Sequence, residues 1–237
     1  MILKFHPKTF IFLFFGFVLF TIVGTLTHEL GHLTADRLLG YKGGKINYGS
    51  TSWGTKPETE EYFKIYKENE SAIKNNLPFS KKQRFEELEI SFKNDNFWGV
   101  LGGPLQTMTF GTIGILLLYF RKKKEDFKIV DWLITFLSLF WLREVFNLLS
   151  GILSGILNNN GNYFGKYGDE VRLSKILEIW DGTIPIFFGI LGLIVSLIVI
   201  FFFIPKKTRF TFIISGLIGG IFGFWFWLYF LGPIIMP

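Results

Sequence analysis

Five long apolar runs constrain this chain more than any other feature of its sequence. A segment lying in lipid must satisfy every backbone polar group without water, and a helix does so within itself. A hydrocarbon core about 30 Å thick takes roughly 20 residues at 1.5 Å rise. Runs of that length extend approximately from Phe10 to Ala35, Trp98 to Phe120, Ile129 to Gly151, Gly182 to Ile204 and Phe210 to Leu231. The predicted fold class is therefore an all-α polytopic membrane protein with about five transmembrane helices. Of 237 residues, 49% are hydrophobic and 30 are Phe. The net charge of +6 sits largely beside the apolar runs, which suits lipid headgroups and topology and gives no reason to expect a nucleic-acid partner. Cysteine is absent, so disulfides and thiolate ligands are excluded, and any metal site must use His and carboxylates.

The start, "MILKFHPK", has the basic character of a signal peptide. The apolar stretch behind it is long and no small-x-small cleavage site follows, so a retained helix is expected. Between the first two spans, residues 37–97 carry both charge signs densely. Within them "YKGGKINYGSTSWGT" alternates apolar and polar residues around Gly and Ser, which predicts a hairpin or extended loop. The remainder, including "KKQRFEELEISFK", predicts one or two soluble amphipathic helices. In the last span Gly216, Gly219, Gly220 and Gly223 form overlapping GxxxG spacings, whose ordinary meaning is close helix packing.

The first span ends in "THELGH". His28 and His32 stand at i and i+4, so on a helix they face one way a turn apart, the separation two imidazoles need to share one zinc. Glu29 lies beside them, placed to take a proton from zinc-bound water. The chain holds only three histidines, and two fall in this pattern. Ionisable groups in a bilayer usually face a cavity or a partner, which favours the metal over two histidines merely satisfied at a helix end. His28 lies ~18 residues into its run, ~27 Å along the helix, toward the far side of the bilayer from the N-terminus.

A catalytic zinc needs a third protein ligand and an open position. His6 is a helix away, so a carboxylate is expected. Asp36 continues the i+4 series but lies two turns from His28, which suits a supporting or interfacial charge, the latter preferred. Glu144, in "WLREVFNLLSG", has Arg143 beside it as an ion-pair partner. Asp181, in "IWDGT", has the position of a helix cap. Asp169, in "YGDEVRLSKIL", starts a short amphipathic helix on the same side as His32 if the spans alternate.

HELGH closing a first helix, "GVLGGPLQT" opening another, then an Asn followed by an Asp, resembles the site-2 protease family of intramembrane zinc metalloproteases, peptidase family M50. The resemblance covers roughly residues 10–178, matching His28, Glu29 and His32, then Gly103, Pro104 and Leu105, then Asp169, Arg172 and Leu173. It implies zinc held by His28, His32 and Asp169, Glu29 as general base, and Asn147 helping to hold the substrate strand. It further implies a three-helix metalloprotease core within residues 1–178, followed by two C-terminal helices in 179–237. The activity implied is endoproteolysis of a membrane-protein substrate by a multi-pass protein of the bacterial inner membrane. This chain departs from the family's pattern in the wider separation of Asn147 from Asp169, in Glu170 where Gly is usual, and in lacking a proline after Asn147. The link "RKKKEDFK" is too short for an inserted PDZ domain. Two other functions fit the motif: hydrolysis of soluble or lipidated peptides, and a non-enzymatic transporter or scaffold. Lys4, Lys8, Arg121, Lys122, Lys123, Lys124, Lys128, Lys206, Lys207 and Arg209 gather on one side in short segments. That bias predicts a cytoplasmic N-terminus and an outward zinc, whereas the family resemblance implies a site open to the cytosol.

Overall fold

The structure, a computed structural model, describes residues 4–121, 126–157, 163–164 and 168–236. Helix α1 (Pro7–Leu38) opens on a proline in its first turn, where the missing N–H removes no helical bond. A small antiparallel hairpin follows, β1 (Lys45–Ile46) with β2 (Thr51–Ser52), in the register Lys45 opposite Ser52. It is the hairpin expected from the Gly/Ser-rich alternation. Next come α2 (Pro57–Lys74), α3 (Lys82–Phe120), α4 (Ile129–Ser138), α5 (Leu142–Leu157) and α6 (Asp169–Ile176). Helix α7 (Thr183–Ile198) is prolonged by a π-helical turn over Val199–Phe203, and α8 (Arg209–Trp225) by another over Phe226–Leu231, before the short α9 (Gly232–Ile235).

Among the described residues, four helices are long and apolar enough to cross a membrane: Pro7–Leu38, Lys82–Phe120, Thr183–Phe203 and Arg209–Ile235. The third expected run differs. A 3-10 turn at Leu139–Trp141 divides it into α4 and α5, so it is not one continuous helix. Two side chains bond back onto its carbonyls there: the Thr135 hydroxyl donates to Asp131 O at 2.8 Å and the Ser138 hydroxyl to Thr135 O at 2.7 Å, a pattern that bends helices. Helix α3 differs in the other direction, since its soluble, charged first half runs unbroken into the membrane segment. At 39 residues it is ~58 Å long, about twice a hydrocarbon core, so part of it projects beyond the membrane.

The described ends alternate. The His6 N–H donates to Thr211 Oγ1 at 3.0 Å, Arg121 pairs with Asp131 at 2.7 Å, and Lys207 pairs with Asp126. These contacts gather the basic links at one end of the bundle, while Lys122, Lys123 and Lys124 lie outside the described residues. Near that end the core is aromatic: Phe17 meets Phe136 edge-on at 5.0 Å and Phe212 at 5.1 Å, and Trp132 stacks on Phe212. Three of the four α8 glycines pack as expected, Gly216 on Phe17, Gly219 on the Phe14 backbone and Gly223 on Val18 and Thr21, so α8 lies close against α1, whereas Gly220 faces open space. His28 and His32 stand at the opposite end of α1.

Candidate metal centre

The 3.6-residue turn of α1 stacks His28 on His32, with ring centroids 4.9 Å apart and planes at 82°. Both face α3 and are buried, at 0% and 8% exposure. Their Nε2 atoms converge on one oxygen of the third residue: Asp169 Oδ2 lies 3.0 Å from His28 Nε2 and 3.2 Å from His32 Nε2. Tetrahedral zinc with bonds of ~2.0–2.1 Å separates its ligand atoms by ~3.3 Å. The donor set therefore fits such an ion with little movement. Among the described residues this is the one trio of His and carboxylate groups close enough to share a metal, its ligand atoms all within 4.8 Å of one another.

The other ring nitrogens fix the tautomers. His32 Nδ1 lies 2.8 Å from the Gly99 carbonyl oxygen, which can only accept, and 3.3 Å from the Gly103 N–H, which can only donate, and the shorter contact assigns the proton to Nδ1. His28 Nδ1 lies 2.9 Å from Thr107 Oγ1, whose own hydroxyl donates to Gly103 O at 3.1 Å and so accepts from the ring. In neutral imidazoles that leaves Nε2 as the free lone pair on both rings, the form a metal requires.

Helix α3 can come this close because it is glycine where it meets the site. A Cβ on Gly103 would collide with His32 Nε2 and His28 Nε2. Gly31 and Gly102 meet reciprocally, each leaving room for the other's carbonyl oxygen. The Gly of HELGH and the glycines of GGPL are thus the two halves of one helix contact.

Asp169 is supplied by the first residue of α6, as the sequence suggested. Burial favours its neutral acid, but protons carried on the His28 and His32 Nε2 atoms that face it outweigh burial and hold its carboxyl well below the usual carboxylate range, and a bound metal takes the place of those protons. It is therefore present as the anion a metal ligand must be. Arg172, one turn on, adds a distant charge at 3.9 Å.

Glu29 is buried at 5% exposure, and the hairpin reaches it. The Thr51 hydroxyl lies 3.0 Å from Glu29 Oε2 and 2.9 Å from the Glu29 carbonyl, so its one proton serves either acceptor. Asn147 stands beside the centre, where its Nδ2 donates to Glu170 Oε1 at 2.8 Å and fastens α5 to α6. It lines, with Asp169 and Arg143, a cavity of about 350 Å³.

The other expected ligands lie elsewhere. Asp181 pairs with Lys175 at 3.9 Å. Glu144 is buried beside Glu170, and among the described residues it makes no ion pair with Arg143, because neighbours on a helix point ~100° apart. Asp36 is not the interfacial charge preferred from the sequence. It is 1% exposed, near Gly99 and Trp53, because the i+4 face it shares with His32 turns toward α3. Sequence reasoning missed Thr107, the Gly99 carbonyl and Thr51, and read Arg143 only as a partner for Glu144. The one signal for Thr107 is its i+4 spacing from Gly103.

No protein-family model matches the chain, and no curated protein or solved structure matches it.

Proposed function

We propose that this chain is a zinc-dependent intramembrane endopeptidase of the site-2 protease type, a multi-pass protein of the bacterial inner membrane acting on membrane-protein substrates. The observation that carries the reading is the convergence of His28 and His32 Nε2 on a single Asp169 oxygen while both Nδ1 atoms are hydrogen-bonded elsewhere. The order HELGH, GGPL and Asp169 supports the family resemblance, since all three segments meet at this centre.

Zinc, held by His28, His32 and Asp169, would supply Lewis-acid polarisation of a water and a scissile carbonyl. Glu29 takes the proton of the attacking water and returns it to the leaving amine. Thr51 holds the Glu29 carboxylate through one hydrogen bond, so the hairpin fixes the base as well as flanking the site. Four long apolar helices supply the setting, and a substrate helix must unwind locally to expose its carbonyls.

The test is metal analysis and cleavage of single-span and soluble peptides by the purified chain in proteoliposomes. The wild-type protein should carry about one zinc per chain and cleave the single-span peptide. Glu29→Gln should keep the zinc and lose cleavage, whereas His28→Ala and Asp169→Ala should lose both. Full cleavage by Glu29→Gln, or a wild-type chain that holds no metal, overturns the assignment. Cleavage confined to soluble peptides moves the substrate out of the membrane.

A further inference from the structure

Arg143 lies one helical residue from Glu144, yet among the described residues it has neither an ion pair nor a hydrogen bond, and its Nε is buried without a partner. An arginine in a membrane bundle ordinarily pairs with a carboxylate, a carbonyl or water. Arg143 instead lies where two cavities meet. The smaller, of about 350 Å³, contains Asp169 and Asn147. The larger, of about 660 Å³, lies among α1, α5 and α8, and is walled by apolar side chains such as Phe20, Phe140, Phe146 and Phe224. Among the described residues, Arg143 is the one charged residue lining the larger cavity, and only it and Ser150 line both. The larger cavity also reaches Thr107, which holds the His28 ring. Arg143 and Asp169 line the same smaller cavity, so the guanidinium stands within electrostatic reach of the metal centre.

A guanidinium presents five donors in a fixed fork and stays charged at any working pH, and here one flank of it is walled by apolar side chains while the other opens on the cavity that holds Asp169. We infer that Arg143 is a further catalytic residue, donating to the scissile carbonyl oxygen of the substrate, whose neighbouring apolar side chain occupies the larger cavity. The inference rests on the hydrolase reading. Attack by water forms a C–O bond, and the carbonyl π pair moves onto the oxygen, while Glu29 takes the water proton. When that pair returns, the C–N bond breaks and the amine leaves with the proton from Glu29. The charge held on the oxygen between these steps is the one Arg143 faces, and donors at such positions act on the transition state more than on the bound substrate.

The test compares wild-type, Arg143→Ala and Arg143→Lys proteins of full length in proteoliposomes. The probes are a fluorogenic single-span Leu/Ala peptide and its phosphinic analogue, which mimics the tetrahedral state. Arg143→Ala should lower kcat by about 10²–10³-fold with KM and zinc content unchanged, and should weaken the phosphinic peptide in step. Arg143→Lys, which keeps the charge but not the fork, should show a smaller loss of the same kind, and it decides the matter if Arg143→Ala fails to hold zinc. An unchanged kcat, a loss confined to KM, or zinc lost from both variants overturns the role of Arg143 and leaves the hydrolase standing. A wild-type chain that cleaves no peptide overturns both together.

Discussion

Helix α3 is gripped twice along its length, and by opposite means. Beside the metal centre it meets α1 through glycines: a Cβ on Gly31 would come within 2.5 Å of Gly102 O, and one on Gly102 within 2.6 Å of Gly31 O. Around that contact the buried groups are polar, with His28, His32 and Thr107 bonded in fixed partnerships. Outside the membrane the same helix meets α2 through large side chains and surface charge. Tyr62 stacks on Phe85 at 5.1 Å and on Phe92 at 5.2 Å over the buried Ile65 and Leu88, while Arg84 reaches Glu61. The difference teaches where the chain has slack. Lipid offers no hydrophobic drive between helices, so the inner contact depends on backbone fit and fixed hydrogen bonds. Water drives the outer contact, which rests on buried area and tolerates changes of shape.

Gly103→Ala should break the inner contact most severely. The added methyl group lies where both ligand nitrogens are, and the obstacle is a pair of buried rings already held at their far sides. Bound zinc should fall to background by elemental analysis, with cleavage lost alongside it, while the α2–α3 pair keeps its protection from protease. Stoichiometric zinc in this variant would show that the rings can retreat and that the fit is looser than drawn.

Phe85→Ala turns the comparison around. Phe85 is 6% exposed and touches Tyr62, Tyr66 and Phe79, so its truncation removes both area and stacking. A local destabilisation of about 3 kcal/mol is expected, read as faster amide exchange in α2. Zinc content should not change. A loss of zinc would mean that the two grips on α3 are coupled through its length.

How much of this was legible in the sequence follows from the range of each interaction. The i, i+4 spacing of His28 and His32 is local, and α1 delivers it directly. Asp169 comes from 137 residues beyond His32, and residue types alone left Asp181 and Glu144 in contention. Only the family resemblance chose among them before the fold did. The hairpin was legible from its alternation, but its contact with Glu29 was not, because Thr51 differs in no local way from the other hydroxyl residues around it. The broken third run escaped hydropathy, which counts apolar residues and ignores Thr135 and Ser138 bonding back onto carbonyls. The burial of Asp36 was missed for a related reason. A carboxylate near a helix end reads as interfacial until the partner helix covering that face is known.

Thr107→Val tests the inner contact at finer grain. The swap keeps nearly the same volume but removes the oxygen that accepts from His28 Nδ1–H, so the ring loses the bond that sets its tautomer and orientation. Groups that hold a ligand in this way typically contribute 10- to 100-fold to metal affinity. Competition with a chromophoric chelator should register a weakening in that range, with the fold intact. Thr107→Ser, which retains the oxygen, should restore most of the affinity. If valine and serine bind zinc equally, the His28 tautomer is set by something other than Thr107.

The smallest effect should come from Arg84→Ala in the outer contact, although its geometry looks strong. Arg84 donates to both Glu61 oxygens, Nε at 3.1 Å and Nη2 at 2.6 Å, and Glu87 adds a second carboxylate at 3.6 Å. All three side chains are nevertheless open to water, with Arg84 48% exposed. Water screens such pairs, and ordering long side chains offsets much of what remains. Amide exchange in α2 should therefore match the wild type within error at physiological salt, in contrast to Phe85→Ala. A clear destabilisation would show that charge, as well as buried aromatic area, holds α2 to α3. The outer grip would then share with the inner one a dependence on specific partners.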